Sequence, residues 1–185
     1  MENRIRIVPP LVGRGPSPDR KAWRSLRTLV LPEHCYFITT NTFGRQLTFG
    51  ETPLAEIVVS NLRFYRDRGD FLLHAFVVMP DHLHLATTPL KGSISDVMRN
   101  VKSYVAKEVR EITRRPGPVW QDGFYDRMIR TERHFHRVAD YIHENPVAAN
   151  LCDVATEWRF SSARWYAGLE SEMCMDRLWG NSEAP

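Results

Sequence analysis

Cysteine is scarce in this chain. Cys35, Cys152 and Cys174 are the only three in 185 residues, far apart, with no Cys-x-x-Cys pair among them. That excludes a disulfide-framed fold and a cysteine zinc knuckle, and it fits a reducing compartment. Long apolar runs are missing too: the longest, residues 71–80, is interrupted by His74 and is too short to span a bilayer. The opening Met-Glu-Asn-Arg-Ile-Arg lacks the apolar stretch of a secretory leader, so a cytoplasmic protein without membrane partners is expected. None of the usual glycine-rich nucleotide loops is present. Nor is there an excess of one charge: the formal net charge of +3 allows a polyanion partner without demanding one. Internal repeats and low-complexity tracts are absent.

What is present is the composition of one globular domain, 43% hydrophobic and 25% charged, long enough to bury a real core. Residues 1–30 carry seven Lys or Arg against Glu2 and Asp19. With Pro9, Pro10, Pro16, Pro18 and Pro32, residues 1–33 read as an extended basic arm holding at most a short helix near 20–28. Residues 34–43 are β-branched and aromatic, hence a strand. Thr52-Pro53 reads as an N-cap with a first-turn proline, and Leu54, Ile57, Val58, Leu62 and Tyr65 recur at helical spacing over 53–68. Residues 71–79 form a mostly apolar strand. Pro80-Asp81 turns it into a second strand over 82–88. Ser95 is expected to cap a second helix whose apolar face includes Val97, Met98, Val101, Tyr104, Val105, Val109 and Ile112. Residues 119–130, with Trp120, Phe124 and Tyr125, read as a strand. A third helix starts near Thr131-Glu132 and is expected to stop at about Asn145, because Pro146 disfavours continuation. The order predicts an α+β fold of ferredoxin-like type, a βαββαβ sandwich. Its antiparallel sheet of about four strands is backed by helices, and a C-terminal tyrosine-bearing helix follows.

Two places carry chemistry. His82 and His84 are two apart on a predicted strand, so both project from one face while Leu83 and Leu85 project from the other. Their Cα atoms lie about 7 Å apart at a rise of ~3.4 Å per residue, and two imidazoles so placed can converge on one cation. A His-His-plus-oxygen set suits Mn, Mg, Zn or Co with positions open for a substrate oxygen. Two ordinary surface histidines would share the same spacing. On the third helix, Phe135, Val138, Ala139 and Ile142 form the buried stripe. Arg137, Tyr141 and Asn145 recur at i, i+4 and i+8 in a row beside it. Tyr104 and Tyr125 are rival nucleophiles; the former is on its helix's apolar face, the latter on a strand beside Asp126. Asn145 also reads as a helix C-cap.

Val78-Met-Pro-Asp-His82-Leu-His84 resembles the HUH signature, two histidines around a hydrophobic residue. Tyr141-Ile-His-Glu-Asn145-Pro146-Val147, preceded by Trp120-Gln-Asp-Gly-Phe-Tyr125 and Arg130, resembles the tyrosine-helix region of REP-associated tyrosine transposases. These are relatives of the single-tyrosine transposases of bacterial insertion sequences. Trp158-Arg-Phe-Ser-Ser162 resembles their C-terminal region, and the likeness spans about residues 34–166. It divides the chain into an arm (1–33), a catalytic domain (34–166) and a tail (167–185). The resemblance implies Tyr141 as nucleophile, His82 and His84 as metal ligands and Asn145 as third ligand, where many relatives carry Gln. Glu144 or His143 would substitute for Asn145 if the helix unwound before Pro146. It also implies a divalent ion (Mg2+ or Mn2+), a 5′-phosphotyrosine intermediate and a single-stranded DNA partner, with hairpin-forming repeats as targets. A homodimer is allowed. Arg127, Arg130, Arg133, Arg137 and Lys102 are the expected phosphate contacts. Two other functions remain open: a non-catalytic DNA-binding protein on the same fold, and a metal-dependent hydrolase with Asp81 or Glu144 as base.

Overall fold

The computed structural model describes residues 34–178; the basic arm and the last seven residues lie outside the described residues. Four strands, β1 (Cys35–Asn41), β2 (Phe71–Met79), β3 (His82–Pro89) and β4 (Tyr125–Ile129), make one antiparallel sheet in the order β2-β3-β1-β4. Helices α1 (Thr52–Asp67) and α2 (Ile94–Thr113) follow β1 and β3, and α3 (Glu132–Ala148) follows β4. This is the α+β sandwich expected from the alternation of elements. No helix among the described residues is long and apolar enough to cross a membrane.

Side-chain alternation divides the core in two. Tyr36 and Ile38 of β1, Leu73, Phe76 and Val78 of β2, and Leu83 and Leu85 of β3 meet the stripes of α1 and α2. The other sheet face, with Cys35, Ala75, Val77, Met79, Ala86 and Ile129, meets Phe135, Val138, Ala139 and Ile142 of α3. A register shift between Leu73 and Ala75 interrupts the alternation in β2. It turns His74 toward α3, edge-on to Phe135, so the break in the apolar run is a bulge whose extra residue is buried. Pro80-Asp81 forms a two-residue hairpin turn, with Met79 opposite His82.

Several element ends differ from expectation. Helix α2 is capped by Ser93, not Ser95: the Ser93 hydroxyl accepts from the Asp96 N–H, and the Asp96 carboxylate accepts from the Ser93 N–H. This reciprocal box satisfies two end donors, which Ser95 inside the first turn does not. Tyr104 and Ile112 are exposed instead of joining the α2 stripe. Strand β4 begins only at Tyr125; Trp120 makes an isolated bridge to Thr42 and stacks on Phe49 in the core. Helix α3 runs through Pro146 to Ala148. The proline forgoes one backbone bond near the helix end, and its burial beside Ile142 outweighs the local preference.

From Ser161, at the end of the expected domain, into the segment expected as a tail, the chain is tied to β2 and the core as far as the described residues reach. Ser161 bridges Val77, and the Ser162 N–H donates to the Phe76 carbonyl. Met173 and Met175 are buried in the larger core. The Asp176 carboxylate accepts two bonds from Arg66, at 2.9 and 2.8 Å, and one from the Leu73 N–H at 2.8 Å. These contacts cover the outer edge of β2, which would otherwise offer unpaired backbone groups. Asp176→Ala should therefore lower stability by about 2 kcal/mol, the scale of hydrogen bonds to a charged group. Thermal denaturation should show a melting point lower by roughly 4–8 °C, with faster hydrogen exchange at the Leu73 amide. A loss under about 0.5 kcal/mol would mean that the strap contributes nothing.

Candidate active site

The two histidines sit where the hairpin emerges from the sheet. His82 is the first residue after the turn and pairs with Asn41; His84 pairs with Thr39. Both project on the α3 side of the sheet, opposite Leu83 and Leu85 in the core. Their ring centroids are 4.6 Å apart, so the convergence expected from the spacing is present.

Each ring has one nitrogen engaged. His82 Nδ1 lies 2.6 Å from an Asp81 carboxylate oxygen. His84 Nδ1 lies 2.8 Å from the Thr39 hydroxyl, and its ring stacks on Phe37 at 5.4 Å. The other nitrogen of His84, Nε2, is buried and has no hydrogen-bond partner. Burial holds the His84 imidazole well below its usual range, and the neighbouring His82 and Arg45 act in the same direction. A neutral ring with Nδ1 donating to Thr39 leaves the Nε2 lone pair free. An orphaned buried nitrogen is costly unless something binds it, and a divalent cation shared with His82 would do so. The donor set thus fits a metal. Among the described residues no group of three or more His, Cys, Asp or Glu could hold one, so further ligands would be an amide or substrate oxygens.

Helix α3 brings the tyrosine. Thr131 caps it, its side chain accepting from the His134 N–H, and the stripe from Phe135 to Ile142 seats it against the sheet. Tyr141 lies beside that stripe. Its ring centroid is 5.3 Å from His84 and 5.8 Å from Phe37, yet the residue is 47% exposed. Its phenol thus packs against the His84 ring while the residue stays half open to solvent.

The remaining candidates are distributed less evenly. Asn145 is inside the helix, not at its C-cap, which is Ala149; its amide donates to the Tyr141 carbonyl at 3.2 Å. That bond secures Asn145 to its own helix, and among the described residues no hydrogen bond joins it to either histidine. His143 turns the other way. It is buried, with Nε2 2.8 Å from the Ser162 hydroxyl, and burial pushes its pKa down to about 4, so it serves packing and not the histidine pair. Glu144 is exposed on the flank that faces Cys152. Tyr104 lies on α2, across the sheet from the histidines. Tyr125 is on the histidine side, in register with Thr39 and through it with His84, two strands away and exposed.

Of the basic residues, Arg127, Arg130, Arg133 and Arg137 are exposed. Arg127 and Arg137 both lie close enough to His134 to hold its imidazole below the usual range, burial being the larger cause. Arg127 pairs with Phe37 across β1. Arg127, His134 and Arg137 thus line one side of an open stretch of sheet, floored by Phe37, Thr39 and Tyr125, that leads to Tyr141. Lys102 is different. Its ammonium donates to the carbonyls of Gln121 and Gly123, at 2.7 and 2.6 Å, and burial lowers its pKa. It braces the loop before β4 from the opposite sheet face. Sequence reasoning passed over Arg45 and Thr39, which hold the histidines' partners or the histidines themselves. No spacing rule points to them, because they become neighbours only through β1–β3 pairing.

A family model described as "Transposase IS200 like" matches residues 34–145. A REP-associated tyrosine transposase of Escherichia coli (strain K12) is 28% identical over 131 residues, covering 69% of this chain and 74% of that protein. A solved structure of a REP-associated tyrosine transposase bound to a REP hairpin is similar with a TM-score of 0.62 and 26% identity, over 84% of this chain and 93% of that one. The family match starts just before β1 and ends on Asn145, so it encloses the histidine pair, its partners and the tyrosine. This chain belongs to the IS200-like transposase family and, within it, is similar to the REP-associated tyrosine transposases.

Proposed function

We propose that the protein cleaves and rejoins single-stranded DNA at hairpin-forming repeats, with Tyr141 as nucleophile and a divalent metal ion, Mg2+ or Mn2+, at His82 and His84. The observation that carries this reading is the contact of the Tyr141 ring with His84, whose Nε2 is buried without a partner and whose ring lies 4.6 Å from that of His82. The hairpin preference draws on the relative solved with a REP hairpin.

In the proposed reaction the Tyr141 oxygen attacks phosphorus. The new bond is O–P to the tyrosine, the broken bond is P–O3′, and the departing 3′ oxygen takes up a proton while the phenol loses one. The products are a 5′-phosphotyrosine and a free 3′-OH, and attack by a 3′-OH reverses the step. One phosphodiester is exchanged for another, so no external energy source is required. When bound, a divalent ion offsets the charge growing on the phosphate oxygens. The rest is done by side chains. His84, neutral and fixed by Thr39 and Phe37, presents its lone pair. The open stretch lined by Arg127, His134 and Arg137 receives the phosphates leading to Tyr141, and exposed Tyr125 on its floor offers a ring for an unpaired base. Arg130 and Arg133 extend the basic edge. Asn145 supplies an amide oxygen only after giving up its bond to the Tyr141 carbonyl. All three rings belong to one chain, which supports cleavage by a single subunit. The hydrolase alternative needs Asp81 or Glu144 as base, but one Asp81 carboxylate oxygen is on His82 and the other on Arg45, and Glu144 is exposed on the flank that faces Cys152.

The nucleophile is tested by covalent capture of a labelled single-stranded hairpin with a tail. Wild-type protein should carry the label through denaturing electrophoresis. Tyr141→Phe should bind the hairpin and form no adduct, whereas Tyr104→Phe and Tyr125→Phe should still form it. Because Tyr141 is half exposed, loss of its hydroxyl should change stability by less than about 0.5 kcal/mol. Cleavage without any adduct in Tyr141→Phe would favour the hydrolase. The metal is tested separately: His82→Ala with His84→Ala should abolish cleavage and leave hairpin affinity largely intact, since phosphate contacts carry most of it. Full cleavage in excess chelator would remove the ion from the account. Binding should favour the tailed hairpin over the matching blunt duplex and weaken steeply with salt; equal affinity would indicate an ordinary duplex binder.

A further inference from the structure

The turn between β1 and α1 reaches the histidine pair by an unusual backbone. Gly44 and Arg45 follow one another in the left-handed region, at φ 60° and φ 58°. Glycine adopts this freely, but an arginine does so only where surrounding contacts impose it. Those contacts are present. The Thr42 hydroxyl donates to the Gln46 carbonyl at 2.7 Å, and both its N–H and its hydroxyl approach the Asp81 carbonyl, at 2.9 and 3.0 Å. The Phe49 N–H donates to the Pro80 carbonyl at 2.8 Å. The β1–α1 turn is thereby fastened to the Pro80-Asp81 hairpin that delivers His82.

The fastened turn delivers the Arg45 guanidinium to Asp81. Arg45 Nε lies 2.9 Å from one Asp81 carboxylate oxygen, while the other oxygen lies 2.6 Å from His82 Nδ1. A second nitrogen of the same guanidinium donates to the Asn41 side-chain oxygen at 2.6 Å, and Asn41 is the residue paired with His82 across the strands. Asn41, Arg45, Asp81 and His82 therefore close a loop of contacts around one imidazole. A carboxylate on a hairpin turn has freedom to rotate into solvent or to swing onto a bound cation. With one oxygen held by a guanidinium that is itself anchored on Asn41, the other oxygen stays on Nδ1.

We propose that Arg45 is a positioning residue for the metal site: through Asp81 it fixes the orientation and tautomer of His82, so that Nδ1 keeps its hydrogen and Nε2 faces the ion. His84 is held by a different device, the neutral Thr39 hydroxyl together with Phe37. Removing Arg45 should therefore loosen one ligand and leave the other in place. Partners of this kind beyond the ligands themselves commonly contribute about 10–100-fold in metal affinity. An exposed ion pair with no such role would contribute almost nothing, which makes the two readings separable. The inference rests on the proposal that His82 and His84 hold a divalent ion.

The test is Mn2+ binding to the full chain without DNA, followed by the loss of the free-ion electron paramagnetic resonance signal. Wild-type protein should take up Mn2+, and His82→Ala should abolish uptake. Arg45→Ala should weaken binding about 10–100-fold at unchanged far-ultraviolet circular dichroism. Arg45→Lys, which keeps the charge and loses the fork, should recover only part of it. Asp81→Asn retains an acceptor for His82 and breaks the link to Arg45, so it should weaken binding as Arg45→Ala does; it carries the test if Arg45→Ala fails to fold. Nitrogen-15 spectra of the His82 ring should show the single Nδ1–H tautomer in wild type and a mixture in Arg45→Ala. Mn2+ affinity in folded Arg45→Ala or Asp81→Asn within twofold of wild type, with uptake still lost in His82→Ala, would overturn the positioning role alone. No uptake by wild type, or undiminished uptake by His82→Ala, would overturn the metal reading and this inference with it.

Discussion

The antiparallel pairing of β1 with β3 is the constraint on which the rest of the site depends. It sets Asn41 opposite His82 and Thr39 opposite His84, and in doing so chooses which sheet face each side chain occupies. Leu83 and Leu85 enter the core beneath α1 and α2; His82 and His84 emerge on the side of α3. A slip of one residue would exchange the two sets. It would bury two imidazoles among aliphatic side chains and take two leucines out of the core beneath α1 and α2. The hydrophobic pattern that stabilises the domain is therefore the same pattern that presents the two histidines. Helix α3 completes the arrangement by ordinary packing: Val138, Ala139 and Ile142 seat it on that face, and Tyr141 is brought against His84 as a consequence.

The site combines a buried element with an open one. His84 is enclosed, and burial holds its imidazole well below its usual range. Tyr141 sits at the border, half exposed, beside a stretch of sheet that α3 leaves uncovered. On the proposed reading this contrast separates two tasks. The enclosed donors hold a cation in one place, and the open floor accepts a flexible strand whose position varies along its length. Arginines on β4 and α3 approach that floor from the sides, where on the same reading their charge would act on phosphates.

Much of this was legible in the sequence because it follows from short periodicities. The strand and helix order, the shared face of His82 and His84 and the buried stripe of α3 are all consequences of periods of 2 and 3.6 residues. The row of Arg137, Tyr141 and Asn145 follows from the same helical period. What the sequence concealed depends on contacts between distant segments. Pro146 continues α3 because tertiary burial outweighs a local rule. Ser93 caps α2 because Asp96 lies three residues on, a box that Ser95 cannot make. Lys102 has the charge of a phosphate contact, but its reach toward Gln121 and Gly123 makes it a brace. Arg45 carried no signal at all, since only the pairing of β1 with β3 brings it to Asp81. The strap that ends at Asp176 was equally invisible, because its anchors, Arg66 and Leu73, are about a hundred residues earlier in the chain.

The central claim is that the histidine pair and the tyrosine of a single chain form one working site. Mixing two inactive proteins addresses it most directly: Tyr141→Phe, which keeps the histidines, and His82→Ala with His84→Ala, which keeps the tyrosine. The measurement is strand cleavage of a tailed hairpin by the equimolar mixture, over a range of total protein concentration. If each site is built within one chain, the mixture stays as inactive as its components at every concentration. Recovery of cleavage on mixing, growing with concentration, would show that one subunit's tyrosine serves another's histidines and would contradict the account.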